Sequence, residues 1–108
     1  MNDDPALTTA VIERKVTKRK LPKSRLVVEN GPQKGTRLDI ASERMTIGLS
    51  GICDLQLTDD GVSGTHCEIV AKETGFLLQD LGSKNGTWVA GVRVEEAWLE
   101  AGMPLRIG

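Results

Sequence analysis

The chain reads as an all-β sandwich built from two antiparallel sheets. Three observations predict it. Short apolar runs recur at roughly ten-residue spacing, Gly, Asn and Asp crowd the gaps between them, and no long stretch sustains a helical period. At 108 residues the chain is one domain with room for a core of its own. Its aromatics are only Phe76, Trp88 and Trp98, so that core must be made of Leu, Ile and Val.

Residues 1–24 show no lasting period. Asp3-Asp4-Pro5, an apolar patch from Ala6 to Ile12, a Lys/Arg run and Pro22 together predict a flexible basic leader, with the folded domain over 25–108. The basic run is either a phosphate-seeking arm or a solvated linker. From Arg25 the texture changes. Leu26-Val27-Val28 is a strand, and Asn30-Gly31-Pro32-Gln33-Lys34-Gly35 turns it into its partner at Thr36 to Ile40. Met45-Thr46-Ile47 ends at Gly48, and Leu55-Gln56-Leu57 alternates before Thr58-Asp59-Asp60-Gly61. His66 to Ala71 places Cys67, Ile69 and Ala71 on one face, and Glu73-Thr74-Gly75 turns into Phe76-Leu77-Leu78. Trp88-Val89 and Val92-Arg93-Val94 form a hairpin around Ala90-Gly91, and Leu105-Arg106-Ile107 is the last strand. Glu95 to Ala101 is the one helical-looking stretch, and it is short.

Charge is divided unevenly. Residues 1–25 carry seven Lys/Arg against three acids, while residues 26–108 carry seven against twelve. A basic tail therefore faces an acidic body, and that body does not suit nucleic acid. Cys53 and Cys67 with a single His and no CxxC support neither zinc nor a disulfide framework, so no metal and no cofactor is expected. No segment approaches a membrane span, and the polar N-terminus lacks a signal-peptide core. A reducing cytoplasm is the expected location.

Ser63 and His66 invite a nucleophile-and-base reading. Three residues apart at a strand entrance, however, they point to opposite faces, and no acid stands ready to orient the imidazole. Gly82 to Thr87 lacks the Gly-Lys-Ser/Thr ending of a phosphate loop. A donor-rich rim fits better. The Ser63 hydroxyl, Lys84 ammonium, Asn85 amide and free N–H groups could face one anion; alternatively Ser63 and Asn85 only hold their own turns.

Ile47-Gly48, Val62-Ser63-x-x-His66, Asp80-Leu81-Gly82-Ser83-x-Asn85-Gly86-Thr87 and Ala90-Gly91 resemble, in order and spacing, the forkhead-associated (FHA) domain. The resemblance covers about residues 25–108. It implies an eleven-strand sandwich whose apical loops bind phosphothreonine peptides without catalysis. By that resemblance Ser63 bonds the phosphate, Lys84 adds a contact, and Asn85 holds the peptide main chain, with Gly64 and Thr65 beside them. Gly48, His66, Gly86 and Thr87 take the positions that support the loops. The family's phosphate-gripping Arg after Gly48 is Leu49 here, the basic residue after Ser63 is Gly64, and its second Asn is Ala90. A charged hydrogen bond is worth ~1.5–3 kcal/mol, so the missing Arg implies an affinity lower by about ten- to a hundredfold.

Three further expectations rest on the same resemblance. Thr8 and Thr9 are candidate phosphosites for self-regulation, since the intervening chain is long enough to fold back. A Thr-Thr-bearing basic leader before such a domain is also similar to the N-terminal region of sigma-54-dependent bacterial activators. The family normally adds a closing strand after the position of Leu105-Arg106-Ile107, so that strand is expected beyond Gly108. The partner expected is a protein or phosphopeptide, with the chain's own N-terminal segment as an alternative, and neither nucleic acid for this domain nor membrane; the alternative function is a phosphate-independent structural or self-association domain.

Overall fold

The computed structural model describes residues 7–16, 22–40 and 42–108. Among them eleven strands and no helix form two sheets: β1 (Thr8–Val16), β2 (Pro22–Asn30), β3 (Arg37–Asp39), β4 (Arg44–Gly48), β5 (Leu55–Gln56), β6 (Cys67–Lys72), β7 (Gly75–Asp80), β8 (Thr87–Val89), β9 (Val92–Val94), β10 (Glu96–Leu99) and β11 (Leu105–Ile107). One sheet runs β3-β2-β1-β11-β8-β9 and the other β10-β7-β6-β4-β5. Every pairing is antiparallel except β4 with β5, where Ile47 lies beside Leu55.

Alternation along each strand builds the core. Ala10, Ile12, Leu26, Val28, Leu105 and Ile107 line it from the six-stranded sheet; Met45, Ile47, Cys67, Ile69, Leu78 and Leu99 line it from the other. A fully buried aliphatic side chain of this kind contributes ~1.5–3 kcal/mol, so each inward position matters singly. Burial pushes the Cys67 thiol up to about 12, and both cysteines are unpaired and buried.

Two expectations need correction. Residues 1–24 are not a leader throughout. From Thr8 the chain is a central strand, paired to β2 from Thr9 to Val16 and to β11 from Thr8 to Ala10, and the expected boundary at 24/25 falls inside β2. The signal was masked because Thr8, fully buried, takes the inward place that an aliphatic residue would have advertised. Residues 1–6 and 17–21, and with them part of the expected leader, lie outside the described residues. β11 itself is flanked on both sides, by β1 and by β8. Finally, the helical-looking Glu95–Ala101 stretch contains β10, paired to β7 from Glu96↔Gln79 to Leu99↔Phe76. Helix-forming residues yield there to pairing and to the burial of Leu99.

Ile12 discriminates the two readings of the N-terminal segment. Ile12→Ala is expected to lower the stability by ~2–4 kcal/mol, read from the denaturant midpoint. A linker residue would leave that midpoint unchanged.

Candidate functional site

The loops after β4, before β6 and between β7 and β8 meet at one end of the sandwich. Gly48 makes the first junction possible. A Cβ on it would stand 2.1 Å from Gly64 O, so only glycine lets the backbone of β4 pass the Ser63–Gly64 segment. The approach is then stitched by the Leu49 N–H to Ser63 O and the Ser50 N–H to Gly64 O, both at 3.0 Å.

His66 makes the second junction. Its ring is fully buried; Nδ1 accepts the Ser63 N–H at 3.0 Å, so the proton resides on Nε2, which donates to Gly86 O at 2.7 Å. Both ring nitrogens are committed to backbone, and neither is free to take a proton from Ser63 Oγ. That hydroxyl instead accepts the Lys84 N–H at 3.0 Å, and its own hydrogen is left to donate outward. Asn85 Nδ2 donates to Gly61 O at 3.0 Å, which closes the third loop onto the second.

Asp80 organises the Leu81–Gly86 turn from within. Its Oδ2 accepts the Gly82 and Ser83 N–H groups, each at 3.0 Å, and its Oδ1 accepts the hydroxyls of Ser83 and Thr87. Ser83 Oγ in turn accepts the Gly86 N–H. Burial acts to raise the Asp80 pKa, but the hydrogen bonds from Ser83 and Thr87 outweigh it and hold the carboxyl below its ordinary value. Gly86 adopts φ +90°, a conformation that glycine takes without strain.

The structure thus brings Ser63, Lys84 and Asn85 onto one rim, with Gly64 and Thr65 exposed beside them. Leu49 stands at the same rim, 43% exposed. Thr87 is buried beneath it, bound to Asp80. Of the basic residues that could supply charge here, Arg44 is placed elsewhere, at the far end of β4 and paired with Glu68 at 3.3 Å. Arg93 lies against Gly86, on the flank of the third loop. Thr8 and Thr9 are not at the rim; they sit in β1, where Thr8 is fully buried and donates to Asp59 Oδ2 at 3.3 Å. Sequence reasoning did not single out Asp59, Asp80 or Ser83 as site residues. Asp80 and Ser83 were legible as the Asp-x-x-Ser turn they form, and Asp59 as an Asx turn bonding the Gly61 N–H.

FHA domain is the family that matches residues 45–108. The FHA domain-containing protein FhaB of Mycolicibacterium smegmatis is 36% identical over 84 residues, 77% of this chain and 54% of that protein. The chain belongs to the FHA family. The glycogen accumulation regulator GarA of Mycobacterium tuberculosis is 35% identical over 83 residues, again 77% of this chain and 51% of the relative. This FHA chain therefore spans about half the length of the relatives it matches. Neither is named as a sigma-54 activator, so that resemblance gains no support from them. Among solved structures, the FHA domain of an Arabidopsis thaliana hypothetical protein superposes with TM-score 0.75 at 28% identity, covering 89% of this chain and 82% of its own. An FHA domain solved in a study of phosphothreonine-dependent interactions gives 0.68 at 26% identity, covering 94% and 88%. The family is one of protein-interaction modules.

The Asp80 network has a pH signature. Because the folded pKa is depressed, its contribution is complete above the unfolded value and is lost as pH falls through the lower folded value. Asp80→Asn is expected to destabilise the domain by about 1–3 kcal/mol at neutral pH. It should also flatten the loss of stability below about pH 4, measured by thermal denaturation across a pH series.

Proposed function

We propose that this FHA domain is a non-catalytic module through which a regulatory protein captures phosphothreonine-bearing segments of a partner, with a weakened grip on the phosphate. The observation that carries the reading is the Lys84 N–H bond to Ser63 Oγ. It sets a hydroxyl donor and an ammonium-bearing residue side by side on the rim, with the side-chain Oδ1 of Asn85 left for a peptide N–H. The phosphate would take the Ser63 hydroxyl and the Lys84 ammonium, and Asn85 would hold the main chain next to it.

The weakening follows from what stands around these donors. Leu49 presents apolar surface where a guanidinium would form a bidentate pair, and Lys84 offers a point charge instead. Gly64 adds nothing, although a Cβ there would meet no atom within 4 Å. We take the partner to be another chain. Self-recognition through Thr8 or Thr9 would first require β1 to leave the sheet, since Thr8 is fully buried there. The names of the relatives favour a regulator of the FhaB or GarA kind over a sigma-54 activator. One FHA relative in structure, FhaA, was solved with the intracellular domain of Rv3910.

Titration calorimetry with a phosphothreonine peptide library tests the proposal. Binding is expected to be weak, to vanish on dephosphorylation, and to drop at least about tenfold in Ser63→Ala. Leu49→Arg combined with Gly64→Arg should tighten it by about tenfold or more. Equal affinity for the phosphorylated and plain peptides would overturn the phosphothreonine reading, while a tight wild-type complex would overturn the weakening alone.

A further inference from the structure

The outer face of the six-stranded sheet carries a row of side chains that the rim does not use. Register places Thr9 opposite Arg106, Arg106 opposite Trp88, and Trp88 opposite Arg93, so all four point away from the core. The Arg106 guanidinium lies over the Trp88 ring, 4.2 Å from its centroid. Its Nε is buried and finds no hydrogen-bond partner among the described residues. A buried donor left unsatisfied points to a missing acceptor. Beside it opens a hollow of about 170 Å³ lined by Thr9, Trp88, Gly91, Pro104, Leu105 and Arg106.

The row runs directly into the recognition rim. Trp88 Nε1 reaches Asn85 O at 3.4 Å, and the Arg93 side chain packs against Gly86 of the same loop. Among the described residues the ion pairs are Arg25–Glu13 and Arg44–Glu68, so neither Arg93 nor Arg106 is held in a direct ion pair, although Asp80 and Glu95 line a hollow that Arg93 borders. On an acidic body, two unpaired arginines flanking an indole form a local cationic stripe with an aromatic floor. Its complement is a carboxylate-rich peptide in extended form.

We infer that the Arg93–Trp88–Arg106 row is a docking stripe for an acidic segment flanking the phosphothreonine of the partner. The inference rests on the phosphothreonine reading of the rim and adds a specificity to it. The cationic attraction missing at Leu49 and Gly64 is supplied from the side, and it selects acidic sequence rather than phosphate. Arg93 and Arg106 are specificity-determining residues in this arrangement.

Four peptides test it on the whole chain: phosphothreonine with acidic flanks, phosphothreonine with the acids replaced by Asn and Gln, and the unphosphorylated form of each. The chain has two tryptophans, so two indole N–H signals report by NMR, with Trp98 on β10 of the other sheet as an internal control. The acid-flanked phosphopeptide is expected to bind about three- to tenfold tighter than its neutral counterpart. That advantage should shrink at high salt and move the Trp88 indole signal but not that of Trp98. Arg106→Gln and, independently, the exposed Arg93→Gln should each erase most of the advantage while leaving the neutral phosphopeptide within about twofold. Equal binding of the two phosphopeptides, or an unmoved Trp88 signal, overturns the stripe and leaves the rim intact. A Trp88 shift that depends on acid and on Arg106 but not on phosphate supports the stripe and removes the phosphothreonine reading. If none of the four peptides binds, both fall.

Discussion

His66 Nδ1 accepts the Ser63 N–H while Nε2 donates to Gly86 O, so one neutral imidazole joins two loops that lie twenty residues apart in sequence. Everything at the rim depends on this bridge. It orients the Ser63 backbone so that Oγ can meet the Lys84 N–H, and it seats Gly86 at the point where the third loop turns into β8. The ring is fully buried, and losing either bond would leave a polar nitrogen stranded at a cost of ~1–3 kcal/mol. Gly48 works from the opposite side by removing the side chain that would have kept the first two loops apart. Recognition geometry here is therefore a property of backbone positions fixed by an imidazole and a glycine, and the outward-facing groups ride on that frame.

The rim separates two tasks that are often combined in one arginine. Holding the loops in register falls to the buried His66 and Ser83 and to the half-buried Asp80 carboxylate. Positive charge at the rim comes from one exposed residue, Lys84. The second can change without disturbing the first, which explains how Leu49 and Gly64 are accommodated in a frame that stays fully hydrogen-bonded. Affinity and architecture are decoupled in this domain, so the intact frame alone says little about binding strength.

The loops were legible in the sequence because turn chemistry is local. Asp80, Gly82, Ser83 and Gly86 each announce a specific backbone need within a few residues. The strands with aliphatic alternation were legible for the same reason. What escaped was non-local. β1 hides its alternation behind a buried Thr8 whose partner, Asp59, is fifty-one residues away. β10 is written in helix-forming residues and is a strand only because β7 is there to pair with it. The row from Thr9 to Arg93 draws on four strands from both ends of the chain, and no window of sequence brings them together.

The pairing of β1 with β11 carries a consequence for how the domain is made. Thr8 lies opposite Ile107, so the first described strand is completed by the last. Emerging from a ribosome, β1 and β2 can form their hairpin early, but one edge of β1 stays bare until residues 105–107 have been synthesised. An open strand edge with Ala10 and Ile12 uncovered is a template for pairing with other chains. Closing so long a loop is also slow compared with forming local contacts. The interval before β11 arrives is therefore the period in which this protein is most exposed to aggregation, and the length of that interval is set by the topology itself.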